Sequence, residues 1–394
     1  MLKKKEILPA LIILFTAIIA FWQIFFLKNE LKWDAIDSFL PARYFVSEAL
    51  RSGFIPLWNP YLSLGTPSYG DMVSVWNPEV WFVSLFTTYN NITLHFVFIC
   101  YIFLAGLGMF KLLIFFKVNR YFALAGGVAY MLSGFMVGNA QNLSAIAGAA
   151  WLPFLALYYW QFLKDTRWKT LFSVLFFLYL MIFNGYPGLT IISVYLLFSF
   201  FSVELITLIC RKKPWIRFLK FHLFLGVIII FISSVLIISF IQVSPFIGQY
   251  NGGTLEWAQM HPFSPNSLIT FLFPLAGTKR PDFFSTDISM TNIFIGTLTL
   301  IFFLGSLFMK KNRFLWIVTI FGIFSLLASF GAYFPIRKWL FNYFPMMDVF
   351  RYPAFSRLFM IFTVVFSGFY HLETLLTKKK IILKIITIIF LGFL

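Results

Sequence analysis

Charge is what this sequence has least of. Only 11% of its 394 residues are Asp, Glu, Lys or Arg, while 60% are hydrophobic and the mean hydropathy is +0.87. A soluble domain carries about 25% charged residues, so there is too little polar side chain here to cover a soluble surface. The same arithmetic excludes intrinsic disorder, which needs a chain poor in apolar residues. Cysteine is nearly absent. Cys100 and Cys210 lie far apart in apolar runs without metal or redox spacing, and read as small buried hydrophobes rather than a disulfide. Histidine is as sparse: His95, His222, His261 and His371 are scattered, which excludes an HExxH-type metal motif. Acids are the third shortage, with 14 against 31 Lys and Arg and a formal net charge of +17. On a soluble chain that excess would suggest nucleic acid. On a membrane chain it raises a different question, which is where the charges lie.

Long apolar runs are what the sequence has in plenty. A helix needs about 20 apolar residues to cross the hydrocarbon core. Runs at Ile7–Leu27, Leu94–Phe116, Tyr121–Val137, Leu143–Phe162, Leu171–Phe183, Leu189–Leu208, Phe221–Val243, Ile293–Phe308, Phe314–Phe330 and Leu358–Leu375 predict ten spans, and Ile381–Leu394 a partial eleventh. The expected class is an all-α, polytopic bundle of about 11 transmembrane helices in the cytoplasmic membrane. With the N-terminus placed in the cytoplasm, 21 of the 31 basic residues and only four of the 14 acids fall on inner segments. The whole net excess then lies inside, as the positive-inside rule requires, so the +17 reads as a topology signal and no nucleic-acid partner is expected. Inner loops are short connectors. Outer loops are long at 28–93 and 244–292, with a shorter one at 331–357. Function is expected at the outer face, where loops sit on a rigid scaffold.

The first outer loop holds three acids of interest. Asp34 and Asp37 are three apart and would share a helix face. Asp71 follows a Gly-containing turn. The stretch from Asp37 to Arg51 has helical periodicity, with Arg43, Ser47, Glu48 and Arg51 on one side and Phe39, Ala42, Phe45, Val46, Ala49 and Leu50 on the other. Gly53 and Pro56 close it. This predicts an amphipathic helix lying in the outer interface. Taken alone, Asp37 reads as a helix N-cap, Asp34 as a solvated acid and Asp71 as a turn residue.

Asp34 is followed seven residues later by Pro41, then by an aromatic-rich helix, Gly53-Phe54-Ile55-Pro56-Leu57-Trp58-Asn59-Pro60-Tyr61 and Gly65-Thr66-Pro67. Further on come Ala150-Trp151-Leu152-Pro153, Asn184-Gly185-Tyr186-Pro187, Phe273-Pro274 and Phe350-Arg351-Tyr352-Pro353. This series resembles the YfhO-type bacterial membrane proteins, a branch of the GT-C glycosyltransferase superfamily, and covers nearly the whole chain in order. The first-loop block is its specific part. The chain departs from the pattern at Asn139, Gln141, Asn142 and Gly188. It stops inside an apolar run where the family continues, so residues 1–394 are read as one GT-C-like transmembrane domain from the N-terminal part of a longer architecture.

The resemblance implies transfer of a sugar from a polyprenyl-phosphate donor to a cell-surface glycan, polymer or lipid acceptor outside the membrane. A carboxylate must accept the acceptor's proton, a cation must meet the departing phosphate, and a groove must admit the lipid tail. Asp34, the position matching the family acid, is the expected base, with Asp37 and Asp71 beside it. If a divalent cation such as Mg or Mn takes part, these three acids are its expected oxygen ligands. Arg351, before the last full span, is the expected phosphate-binding residue, and Tyr352 adjoins it. Asn139, Gln141, Asn184, Tyr186, Glu256 and His261 are expected to line the substrate cavity. Two rival functions remain at this level: a flippase or transporter of lipid-linked sugars, and a non-catalytic scaffold. A transporter would place ionisable groups mid-span in two repeated halves, and the sequence shows no such repeat.

Overall fold

The computed structural model describes residues 4–62, 64–70, 75–246, 253–279 and 281–377. Asp71 and the apolar run Ile381–Leu394 lie outside the described residues. The described chain is helical, without a named strand. Its main helices are α1 (Lys4–Ala20), α2 (Leu40–Arg51), α3 (Pro78–Ser84), α4 (Asn91–Phe115), α5 (Arg120–Met131), α6 (Leu143–Lys164), α7 (Trp168–Asn184), α8 (Pro187–Cys210), α9 (Trp215–Val243), α10 (Thr297–Ser306), α11 (Arg313–Ser329), α12 (Ile336–Tyr343) and α13 (Arg357–Thr377). Among the described residues, six segments are long and apolar enough to cross a membrane: Asn91–Phe115, Arg120–Gly138, Leu143–Lys164, Pro187–Cys210, Trp215–Phe246 and Pro353–Thr377. Four shorter apolar helices accompany them. This is the architecture of a helical, membrane-embedded protein. Every described apolar run of the sequence lies largely on a helix, though α10 starts only after Gly296, whose left-handed φ of 87° ends an extended segment.

Asparagine starts many of these helices. Asn77, Asn90, Asn119, Asn142 and Asn312 each accept a backbone N–H from the first turn of the helix that follows. Such caps satisfy donors that would otherwise be stranded at the membrane boundary. The interior is built on α6 and α13, whose side chains are buried nearly all round. A helix that is hydrophobic on every face belongs in the centre of a bundle. The α4, α5 and α11 helices pack against these two, while α9 turns most of its surface outward. Both cysteines are exposed on the apolar surface and free, not buried as expected.

Contacts among the long loops and the 185–186 turn mark one end of the bundle, and contacts around the connectors at 165–167 and 211–214 the other. The short-loop end is tied by Glu204, whose Oε2 accepts from Lys164 Nζ at 3.2 Å and Arg313 Nη1 at 2.9 Å, joining α6, α8 and α11. At the long-loop end, Arg357 donates to the carbonyls of Ser289, Asn292 and Ala354. Arg337 donates to those of Ala258, Met347 and Phe350. These two buried guanidinium groups fasten the second long loop to the third.

Candidate functional site

Tyr352 stands where the second and third long loops meet. Its φ is 67°, left-handed although it is not glycine and precedes Pro353. A residue before proline is pushed towards extended backbone, so this conformation is held by its surroundings. His261, also left-handed (φ 49°) and also before a proline, packs its ring 5.4 Å from that of Tyr352. Phe355 packs on the other side. Strained non-glycine backbone of this kind collects at sites where chemistry over-determines geometry. Burial pushes the Tyr352 phenol above its ordinary range. Arg351 pulls it back, and Asp34 and Asp287 push it up. Charges on all three long loops are thus felt by this phenol.

Arg351 lays its guanidinium over the Tyr352 ring, 4.4 Å from the centroid. Its backbone carbonyl accepts from the Tyr186 hydroxyl at 3.0 Å. Among the described residues no carboxylate forms an ion pair with Arg351, the nearby Asp348 included. The half-buried guanidinium is thus positioned by stacking on the Tyr352 ring.

Asp34 and Asp37 are both exposed at the start of the first long loop. The chain between them winds as a π-helix, Ala35–Phe39, before tightening into α2. That wider winding differs from the α-helix expected there and turns Asp37 further from Asp34 than three α-helical residues would. Single π-turns inside helices are frequent at functional sites. The turn begins before Asp37, so this residue is not the cap of α2, and Asp34, at the N-cap position of the π-turn, makes no side-chain cap.

The amphipathic helix is present, but its polar face is not all outward. Arg43 and Ser47 are buried, while Tyr44, Glu48 and Arg51 are exposed. Arg43 meets Glu79 at the first turn of α3 (3.2 Å) and the hydroxyl of Tyr89 (2.9 Å). The Glu79 carboxylate also accepts from Tyr89 at 2.7 Å, Tyr101 at 3.0 Å and Asn184 at 3.4 Å. Glu79 and Tyr89 hold Arg43 firmly cationic against the opposing effect of burial. This network is the seat of the first loop. Asn184 therefore belongs to it and not to the cluster at Tyr352. Its Nδ2 also donates to Asn77 at 2.8 Å.

Beside Tyr352 a cavity of about 420 Å³ opens between α8 and α11, roofed by α12. Tyr195, Phe198, Ile320, Phe324, Trp339 and Phe350 line it, and its walls are almost wholly apolar. Phe198 and Ile320 are largely exposed on the lipid-facing side, so the cavity is a lateral groove. One of its lining residues, Phe350, is next in sequence to Arg351. Gly188 lets this corner close: a Cβ there would lie 2.7 Å from both Phe350 and Tyr186. Burial lowers the Arg337 guanidinium at the groove's roof to about 10.

The other expected residues fall as follows. Tyr186 and His261 join the cluster. Glu256 is exposed on the short helix Leu255–Ala258 of the same loop as His261. Asn139 is buried and its Nδ2 donates to the Phe135 carbonyl; Gln141 is half-buried in the same turn. Asp71 lies outside the described residues. Among the described residues no group of three His, Cys, Asp or Glu side chains could hold a metal ion; the described carboxylates do not form a metal set, and no step below runs through one. Asp287, Glu79 and Arg337 were not singled out in the sequence. Asp287 carries a local signal of capping only, since its Oδ1 accepts from Ser289 N and Oγ. The chain matches no family model, no curated protein and no solved structure.

Proposed function

We propose that the chain is a membrane glycosyltransferase of the GT-C type, with about 11 crossings, a cytoplasmic N-terminus and its active face outside the cytoplasmic membrane. It moves a sugar from a polyprenyl-phosphate donor to a cell-surface glycan, polymer or lipid. What supports this reading is Arg351 stacked on Tyr352, next in sequence to Phe350 of an apolar groove that opens towards lipid, with Asp34 near enough for its charge to be felt by the Tyr352 phenol. An acid, a free guanidinium and a lipid-shaped slot are the three parts such a reaction needs.

In the proposed step the polyprenyl tail lies in the groove and its phosphate meets Arg351, which can grip two oxygens at once. The Asp34 carboxylate takes the proton of the acceptor hydroxyl. The acceptor oxygen bonds to the anomeric carbon as the bond from that carbon to the phosphate oxygen breaks, with inversion. The electron pair leaves with the lipid phosphate, whose charge Arg351 offsets. Tyr352, kept protonated by its raised pKa, can donate a hydrogen bond to the same phosphate. The test is transfer by purified protein in liposomes given radiolabelled polyprenyl-phosphate sugars and a bacterial envelope extract. Label moving from lipid to a polar or polymeric product supports the reading. Label crossing the bilayer still attached to the lipid, with no product, would favour the flippase.

A further inference from the structure

Among the described residues at the short-loop end, Lys117, Arg120 and Lys310 are exposed and form no ion pair, and a larger group of this kind lies around the starts of α7 and α9. At the start of α11 the basic residues are engaged: Arg313 pairs with Glu204, and Lys311, just before the helix, donates to the Ser306 and Leu307 carbonyls and sits 5.2 Å from the Trp316 ring centre. On α6, Lys164 is held by Glu204 and the Trp160 ring. By contrast Lys169, Arg211, Lys212, Lys213 and Lys220 are exposed and form no ion pair among the described residues. Arg217 reaches across at 3.5 Å to the Thr166 carbonyl, so the 165–167 and 211–214 connectors form one platform. The one acid on it, Asp165, is taken by Arg167 at 2.7 Å.

Below this platform is an apolar wall. Trp168 packs on Phe221 and Phe224, joining α7 to α9. From there Phe172, Phe176, Leu223, Val227 and Phe231 face outward, each more than half exposed. Trp168 and Trp215 stand at the junction between wall and platform, both exposed. Tryptophan prefers that boundary between headgroup and acyl chain.

We infer that the α7–α9 edge is a docking surface for anionic phospholipid, with phosphate headgroups on Lys169, Arg211, Lys212, Lys213 and Arg217 and acyl chains along the α7 and α9 wall. Charge complementarity selects this occupant. A neutral lipid would leave the cations uncompensated, and clusters of four to eight such residues beside a membrane helix hold anionic lipid. The surface is separate from the Tyr352 site and does not depend on what that site does.

The test exchanges the full chain into nanodiscs of equal phosphatidylglycerol and phosphatidylcholine, then counts retained lipids by native mass spectrometry. Wild type should retain phosphatidylglycerol preferentially, and millimolar inorganic phosphate should not displace it. Each basic residue near an anionic surface is worth about fivefold in binding. The quadruple variant R211Q/K212Q/K213Q/R217Q should therefore lower phosphatidylglycerol retention by at least about tenfold, even if part of that attraction is lost to screening. The charge-matched variant K111Q/K117Q/R120Q/K310Q, whose residues lie away from the Trp168–Phe224 wall, should lower it less. Equal retention of the two lipids by wild type would overturn the proposal without any variant. So would equal losses in both variants, displacement by free phosphate, or a second copy of the chain found in place of lipid.

Discussion

Replacing Glu79 by Leu should destabilise the protein more than any change on the surface of the first loop. The carboxylate takes hydrogen bonds from Arg43, Tyr89, Tyr101 and Asn184, and Arg43 has no exposed surface at all. Its Nε and Nη2 already lack a partner among the described residues, so Glu79 is its main compensation. Removing one member of a buried ion pair costs about 3–5 kcal/mol because the other charge is left bare. The Tyr89 hydroxyl can still accept from Arg43, so we expect about 4 kcal/mol for Glu79→Leu. Arg43→Met leaves three neutral donors on Glu79 and should cost about half as much, ~2 kcal/mol. In the double variant no charge is stranded, and the loss should be about 2–3 kcal/mol, from the unpaired Tyr89, Tyr101 and Asn184 groups. The single losses would then exceed the double by about 3 kcal/mol, a coupling typical of contacting charges. Reversible unfolding by SDS titration in mixed micelles, followed by tryptophan fluorescence, gives all three values. Single losses that simply add, or a Glu79→Leu loss below about 1 kcal/mol, would refute the assignment of this pair as the seat of the loop.

Arg351→Lys keeps the charge but loses the planar fork and its stacking on Tyr352; the donor KM should rise about tenfold with kcat less affected, measured by initial transfer rates. Gly188→Leu should force Phe350 and Tyr186 apart; transfer should fall while the apparent melting temperature moves by only a few degrees, checked by pairing the activity assay with a thermal scan. Tyr352 gives a pH signature. Its folded pKa lies above its ordinary value of 10, so the folded state keeps the proton longer. Its share of stability is full below pH 10 and is lost as pH rises through the raised value. The difference in stability between wild type and Tyr352→Phe should therefore be flat below pH 10 and fall above it, as read by unfolding titrations at a series of pH values.

The helices were readable because an apolar run long enough to span has few other options. Their starts were readable at α6 and α11, which Asn142 and Asn312 cap, but α4, α7 and α9 begin before the apolar runs that announce them. The face of α2 was not. Its periodicity sorts Arg43 with Glu48 and Arg51, and nothing local says that Arg43 turns inward. The reason lies 36 residues on at Glu79 and 46 residues on at Tyr89, a pairing created by the fold. Asn184 was recognised as an unusual polar break, but its partner in that network is again Glu79, 105 residues away. Tyr352 and His261 each precede proline, which announces irregular backbone, yet their ring contact joins two separate loops. Asp287 looked like any capping aspartate because it is one; only the effect of its charge on the Tyr352 phenol sets it apart.

The most direct measurement is kcat for sugar transfer by Asp34→Asn, alongside donor binding measured separately on the same preparation. Asparagine keeps the shape of the side chain but cannot take the acceptor's proton. Loss of a positioned base removes about 10²–10⁴-fold in rate, while the donor, gripped by Arg351 and the groove, should bind within about threefold of wild type. Full transfer activity in Asp34→Asn would contradict the central claim, that the exposed carboxylate at the start of the first long loop performs the chemistry beside Arg351 and Tyr352.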